Sequence, residues 1–104
     1  MDDFKVVYTI LSTLEKALDI PEFDTSLISP EVLGISKVRW ERYMEMLTDC
    51  KYVKGVVVQH YITGQTVMNI RDIRITLKGL EYLHENSTMQ RMYKAAKGIV
   101  DLIP

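Results

Sequence analysis

The chain has 104 residues, of which 47% are apolar and 26% charged, and its formal net charge is −1. That length suits one small domain with its own core, and the composition excludes a low-complexity or disordered chain. Cys50 is the only cysteine, which excludes an intramolecular disulfide; with no signal peptide or membrane-spanning run, the expectation is a cytoplasmic protein without a membrane partner.

Charge is sorted along the chain. Residues 1–35 set Lys5 and Lys16 against Asp2, Asp3, Glu15, Asp19, Glu22, Asp24 and Glu31, a net charge of −5. Residues 36–80 reverse this to +4, and residues 81–104 balance at zero. The near-neutral total argues against holding nucleic acid by bulk electrostatics, so any such contact would have to come from the middle segment.

The first predicted helix covers residues 3–19, capped by Asp2 or Asp3, with Phe4, Val7, Leu11, Leu14 and Leu18 at intervals of three and four on its inward face. Ile20-Pro21 ends it, and Leu27-Ile28 is read as a very short strand. Ser29 followed by Pro30 then starts a second helix, Gly34 closes it in the left-handed conformation, and Ser36 caps a third. That third helix runs from Ser36 to about Cys50, with Trp40, Tyr43, Met44 and Leu47 as its core stripe and Val38, Glu41, Arg42, Glu45, Met46 and Asp49 on the other side.

From Tyr52 to Ile75 the texture is β-branched and aromatic. Two strands, Tyr52–Ile62 and Thr66–Ile75, are expected to pair antiparallel around a turn at Gly64, with Gly55 marking a bulge or a close backbone approach. Thr76 caps a helix to about Glu85 with Leu77, Leu80 and Leu83 as its apolar positions. Ser87 and Gln90 form a capping box for a last helix over residues 88–102, on which Met89, Met92, Tyr93, Ala96, Ile99, Val100 and Ile103 share one arc.

Helix, short strand, helix, turn, helix, hairpin is the winged-helix order. The expected fold is therefore α+β: a winged helix-turn-helix with a β-hairpin wing and two additional C-terminal helices, in a single domain with residues 1–86 as core and 87–104 as C-terminal helix. Leu27-Ile28-Ser29-Pro30-Glu31, Leu33-Gly34-Ile35-Ser36, Arg39-Trp40, Glu45-Met46-Leu47, Tyr52-Val53-Lys54-Gly55-Val56 and the run Arg74 to Leu83 resemble the YjcQ family, as does Ala96-Lys97-Gly98-Ile99-Val100-Asp101. The resemblance implies a winged-helix fold and a bacterial or prophage origin.

In helix-turn-helix docking the N-terminal part of the second helix approaches the bases, which makes Lys37, Arg39 and Arg42 candidate contacts to double-stranded DNA. Lys54 and Arg71 on the wing strands are candidates for an adjacent groove or backbone. The competing reading is that these are solvated charges paired along the helix, with Glu41 repelling phosphate, and that the same fold serves as a protein-interaction module without DNA, its partner another phage or host protein. Arg74, alternating away from Ile73 and Ile75, fits a pair with an acidic side chain better than a phosphate contact. Met89, Met92, Tyr93, Ala96 and Val100 fit either a homodimer surface or packing onto the first helix. His60 and His84 lack metal-ligand spacing with Cys50 or a carboxylate cluster, and no nucleophile-base grouping or phosphate loop is present, so neither cofactor nor enzymatic activity is expected.

Overall fold

The computed structural model describes residues 3–86. Helix α1, Asp3–Lys16, buries Val6, Ile10, Leu11 and Leu14 and passes into a turn of 3-10 helix at Ala17–Asp19. The inward arc is thus rotated from the predicted one: Phe4 is 74% and Leu18 49% exposed, while Val7 is half-buried. α1 has more apolar residues than one face can bury, so spacing alone admits two arcs, and the tighter turn from Ala17 swings Leu18 outward.

Residues Thr25–Ile28 form a second 3-10 turn where a short strand was expected, with the Asp24 carboxylate accepting from the Ser26 amide. A side-chain cap of this kind offers the backbone a local partner in place of a strand ladder. Ile28 is fully buried, whereas Leu27 stays half exposed.

The turn between the next two helices follows from its residues. In α2, Pro30–Leu33, the Ser29 hydroxyl accepts from the Val32 amide, and Gly34 ends the helix at φ 70°. The left-handed conformation is sterically cheap only for glycine and lets the Ile35 amide return to the Pro30 carbonyl at 3.1 Å. The Ser36 hydroxyl then accepts from the Arg39 amide and starts α3, Lys37–Asp49, which buries Tyr43, Met44 and Leu47. Trp40 is half-buried rather than enclosed: its ring packs against the core and its indole N–H donates to the Ile28 carbonyl at 2.7 Å.

Strands β1, Val53–His60, and β2, Thr66–Ile75, form a two-stranded antiparallel sheet. Their register runs regularly from His60 opposite Thr66 to Val56 opposite Ile70, then resumes at Lys54 opposite Arg74. Gly55 alone therefore faces Arg71, Asp72 and Ile73. Gly55 lies at φ 91° and Asp72 at φ 46°, and a Cβ on Gly55 would sit 2.5 Å from the Arg71 carbonyl oxygen. Both expectations for Gly55, a bulge and a close approach, hold for one reason: β2 folds its extra residues over the place where a side chain would be.

The Thr76 hydroxyl accepts from the Gly79 amide and opens helix α4 at 77–86. On α4 Leu83 is buried and Leu80 half-buried, but Leu77 is 75% exposed, so the predicted apolar stripe begins one turn later. Val6, Ile10, Leu11, Leu14, Ile28, Met44 and Ile73 are the most deeply enclosed side chains among the described residues. They join α1, α3 and the base of the hairpin into one α+β core. The predicted helix over 88–102 lies outside the described residues.

Arg74 ties the hairpin to the end of α1. Its guanidinium donates to the Ala17 carbonyl at 2.9 Å, to the Pro21 carbonyl at 2.6 Å and to Asp72 at 3.0 Å. The expected acidic partner is thus present, and the same cation adds a charge-assisted bond to the Ala17 carbonyl, which also accepts from the Ile20 amide, and one to the Pro21 carbonyl.

Candidate functional site

Because α3 buries one stripe, its remaining surface divides into an outward face and two flanks. Val38, Arg42, Glu45 and Asp49 recur at helical spacing opposite the core stripe. On the flank toward the hairpin lies a polar cleft of about 370 Å³, lined by Val38, Glu41, Arg42, Glu45, His60 and Thr66. His60 closes it, with Nε2 2.7 Å from Glu45 Oε2 and Nδ1 3.1 Å from Thr66 Oγ1. A proton on Nε2 satisfies both contacts, since the carboxylate only accepts and the threonine hydroxyl can donate. This pair fixes the hairpin against the outward face of α3.

The other flank faces α1 and α4. There a trough of about 560 Å³ is walled by Phe4 and Val7 of α1, Met46 and Cys50 of α3, and Tyr52 and Tyr82, whose ring centroids are 5.1 Å apart. Arg42 lines the trough as well, on the side shared with the cleft, and the polar end of the trough is a closed triangle. Asp3 Oδ1 accepts from the Tyr43 hydroxyl and from Arg39 Nη2 at 2.9 Å, while Arg39 Nε donates to the Tyr43 oxygen at 3.3 Å. The hydrogen bond from Tyr43, and then that from Arg39, hold the Asp3 carboxyl below the usual carboxylate range. Burial, reinforced by the Asp3 carboxylate, pushes the Tyr43 phenol up, and the same two partners push Arg39 further up.

The five predicted DNA contacts are therefore not one surface. Lys37 is exposed on the first turn of α3, Arg42 lines both the polar cleft and the trough on the other flank, and Arg39 is drawn to the polar end of that trough by Asp3. Lys54 and Arg71 are exposed at the base of the hairpin, beside the bulge and away from the tip. Met89, Met92, Tyr93, Ala96 and Val100 lie outside the described residues. Sequence reasoning missed the Asp3–Arg39–Tyr43 triangle. The i, i+4 spacing of Arg39 and Tyr43 was legible, but Asp3 stands 36 residues before Arg39 in the chain, and only packing of α1 on α3 brings it there.

A family model for the YjcQ protein matches residues 8–102. The chain belongs to the YjcQ family. No curated protein and no solved structure shows significant similarity to it. In this YjcQ chain the match takes in the α2–α3 turn, both flanks of α3, the hairpin and α4, while Asp3 and Phe4, which shape the trough, precede the matched stretch. Among the described residues, no three His, Cys, Asp or Glu side chains gather as a metal site would require, and no helix is long and apolar enough to cross a membrane.

Proposed function

We propose that this YjcQ chain is a cytoplasmic winged-helix protein that binds duplex DNA, with α3 entering the major groove and the hairpin tip lying against the adjacent backbone. The observation that carries the reading is the glycine-turned pair α2–α3, with both helices capped by serine and the outward face of α3 left exposed beside the hairpin. The reading is that of a binding protein and not an enzyme, and a role as a transcriptional regulator fits the prophage setting that the family resemblance implies. Its warrant is fold analogy joined to local charge.

Lys37 and Arg42 are the phosphate contacts on α3. Arg39 is engaged by Asp3, and the tip residues Tyr61 to Gln65 carry no charge, so the wing contributes hydrogen bonding through Thr63 and Gln65. Two phosphate contacts give a dependence of log K on log salt with a slope of about −2, a weak interaction with a shallow salt dependence. Titration of duplex DNA at several salt concentrations tests this: Arg42→Ala is expected to lower the slope by about 1, and Asp3→Asn, which releases Arg39, to raise it by about 1. Absence of binding at low salt overturns the reading.

A second reading, a protein-interaction module on the same fold, is favoured by one observation. Half-buried Glu41 and Glu45 and exposed Asp49 lie on the outward side of α3 with the exposed apolar side chain of Val38. That mixture suits a protein surface better than a phosphate backbone, and the same titration separates the two.

A further inference from the structure

Beyond the bulge the hairpin is a sheet of two strands with two edges and little that guards them. From Val56 to Ile70 the chain contains no Lys, Arg, Asp, Glu or Pro, and the pairing is regular. Soluble proteins commonly blunt an exposed edge with lysine, proline or a bulge. Here the bulge lies at the base of the hairpin, together with Lys54, Arg71, Asp72 and Arg74. The ladder fixes which backbone groups point outward. Because the Tyr61 amide donates to the Gln65 carbonyl at 2.9 Å, the bonded pairs that follow are Gln59 with Val67 and Val57 with Asn69, and Thr66, Met68 and Ile70 turn their N–H and C=O groups away from β1. Among the described residues, no backbone group outside the hairpin bonds to these three. α3 packs against β1, whereas β2 is held at its base, by Arg74, to the carbonyls of Ala17 and Pro21. We propose that the edge of β2 pairs antiparallel with β2 of a second copy of this chain, about a two-fold axis at Met68, to give a four-stranded sheet.

Symmetry and charge select this occupant. A two-fold axis at Met68 sets Met68 against its own copy, Thr66 against Ile70 and Val67 against Asn69, and it matches the outward N–H and C=O groups of each strand with those of the other. No like charges meet in this register: the stretch from Thr66 to Ile70 has none, and Arg71, next along the strand, falls opposite Gln65. A net charge of −1 leaves two copies with little mutual repulsion. The faces also agree. Met68 and Ile70 are half-buried against the core and Asn69 is exposed, so alternation carries the core-facing and outer sides of one hairpin into those of the other. A foreign strand is told apart by charges or side-chain pockets along the edge, whereas this stretch offers backbone hydrogen bonds and register, which the chain's own β2 supplies.

The amides of Met68 and Ile70 read the pairing directly, because the hairpin by itself leaves them to water. Hydrogen exchange of the full chain is followed residue by residue at low and high micromolar concentration, beside sedimentation velocity. The expected result is a dimer at the higher concentration, in which these two amides exchange at least about tenfold more slowly than in the dilute sample. Two double variants, each confirmed to be folded by circular dichroism, test the register on the outer side of the strand. Val67→Lys with Asn69→Lys sets ammonium groups directly opposite one another across the axis and is expected to abolish the dimer. Val67→Lys with Asn69→Asp sets opposite charges face to face and is expected to retain it. A monomer at high micromolar concentration overturns the proposal. So does slow exchange of the two amides at every concentration, which would place the cap within one chain, and so does a dimer that survives the paired lysines, which would place the association elsewhere.

Discussion

The two flanks of α3 are separated by less than half a turn of one helix, yet they differ in nearly every physical respect. Toward the hairpin, the surface is a polar cleft in which charged side chains meet one another across water-accessible space. Toward α1, it is a largely apolar trough in which Asp3 and Arg39 are hydrogen-bonded together at one end and Arg42 stands at the border with the cleft. The contrast explains why a count of basic residues on this helix misleads. Arg39 and Arg42 both line the trough, but Arg39 is held at its polar end by Asp3 and Tyr43 whereas Arg42 also lines the cleft, so the charge of Arg39 is partly offset and that of Arg42 is not.

The largest effect is expected beneath both flanks. Met44 is fully buried on the stripe that separates them, and Met44→Ala should cost about 2–5 kcal/mol, measured by urea unfolding. A loss below about 1 kcal/mol would mean that α3 is not seated on its core as described. Such a change would blur both flanks at once.

Asp3 sharpens the trough side. Its carboxyl has a folded-state pKa below the unfolded value, so it contributes stability that is present above an unfolded pKa of about 4 and is lost as the pH falls through the lower folded value. Asp3→Asn should therefore flatten the fall in thermal stability below pH 4 relative to the parent chain. Asp24, held low by Ser26, has the same sign in both proteins and cancels in the comparison. Parallel acid profiles would show that the triangle does not form in solution.

The cleft side should respond least. The His60–Glu45 contact is largely solvent-exposed, so Glu45→Gln should change stability by less than about 1 kcal/mol. Its distinguishing effect belongs to the hairpin: backbone amides from Gln59 to Val67 should exchange faster in the variant while those of α1 are unchanged. Uniform acceleration would mean that this pair supports the whole fold and that the two flanks are not independent.

How much of this was legible in the sequence depends on the range of the interaction. Ser29, Pro30, Gly34 and Ser36 specify caps and a turn through groups within five residues of one another, and the structure has all of them. The hairpin and the special role of Gly55 were legible for the same reason, although not that three residues of β2 would crowd over it. The choice of face on α1 was not legible, because its apolar residues fill more than one arc and the partner surface selects between them. The same holds for the strand expected at Leu27-Ile28, where a local hydrogen bond from Ser26 to Asp24 prevailed over an apolar pair.

By itself, the sequence determined the order of elements, the α2–α3 turn, the bulge and the core stripe of α3, since caps, glycine conformations and periodicity act between neighbours in the chain. Tertiary structure alone decided where the charges point. Arg74 donates to carbonyls beyond the end of α1, Arg39 joins Asp3 and Tyr43, and His60 meets Glu45. A long cationic side chain reaches several ångströms from its backbone, and its partner is whichever oxygen packing brings within that reach.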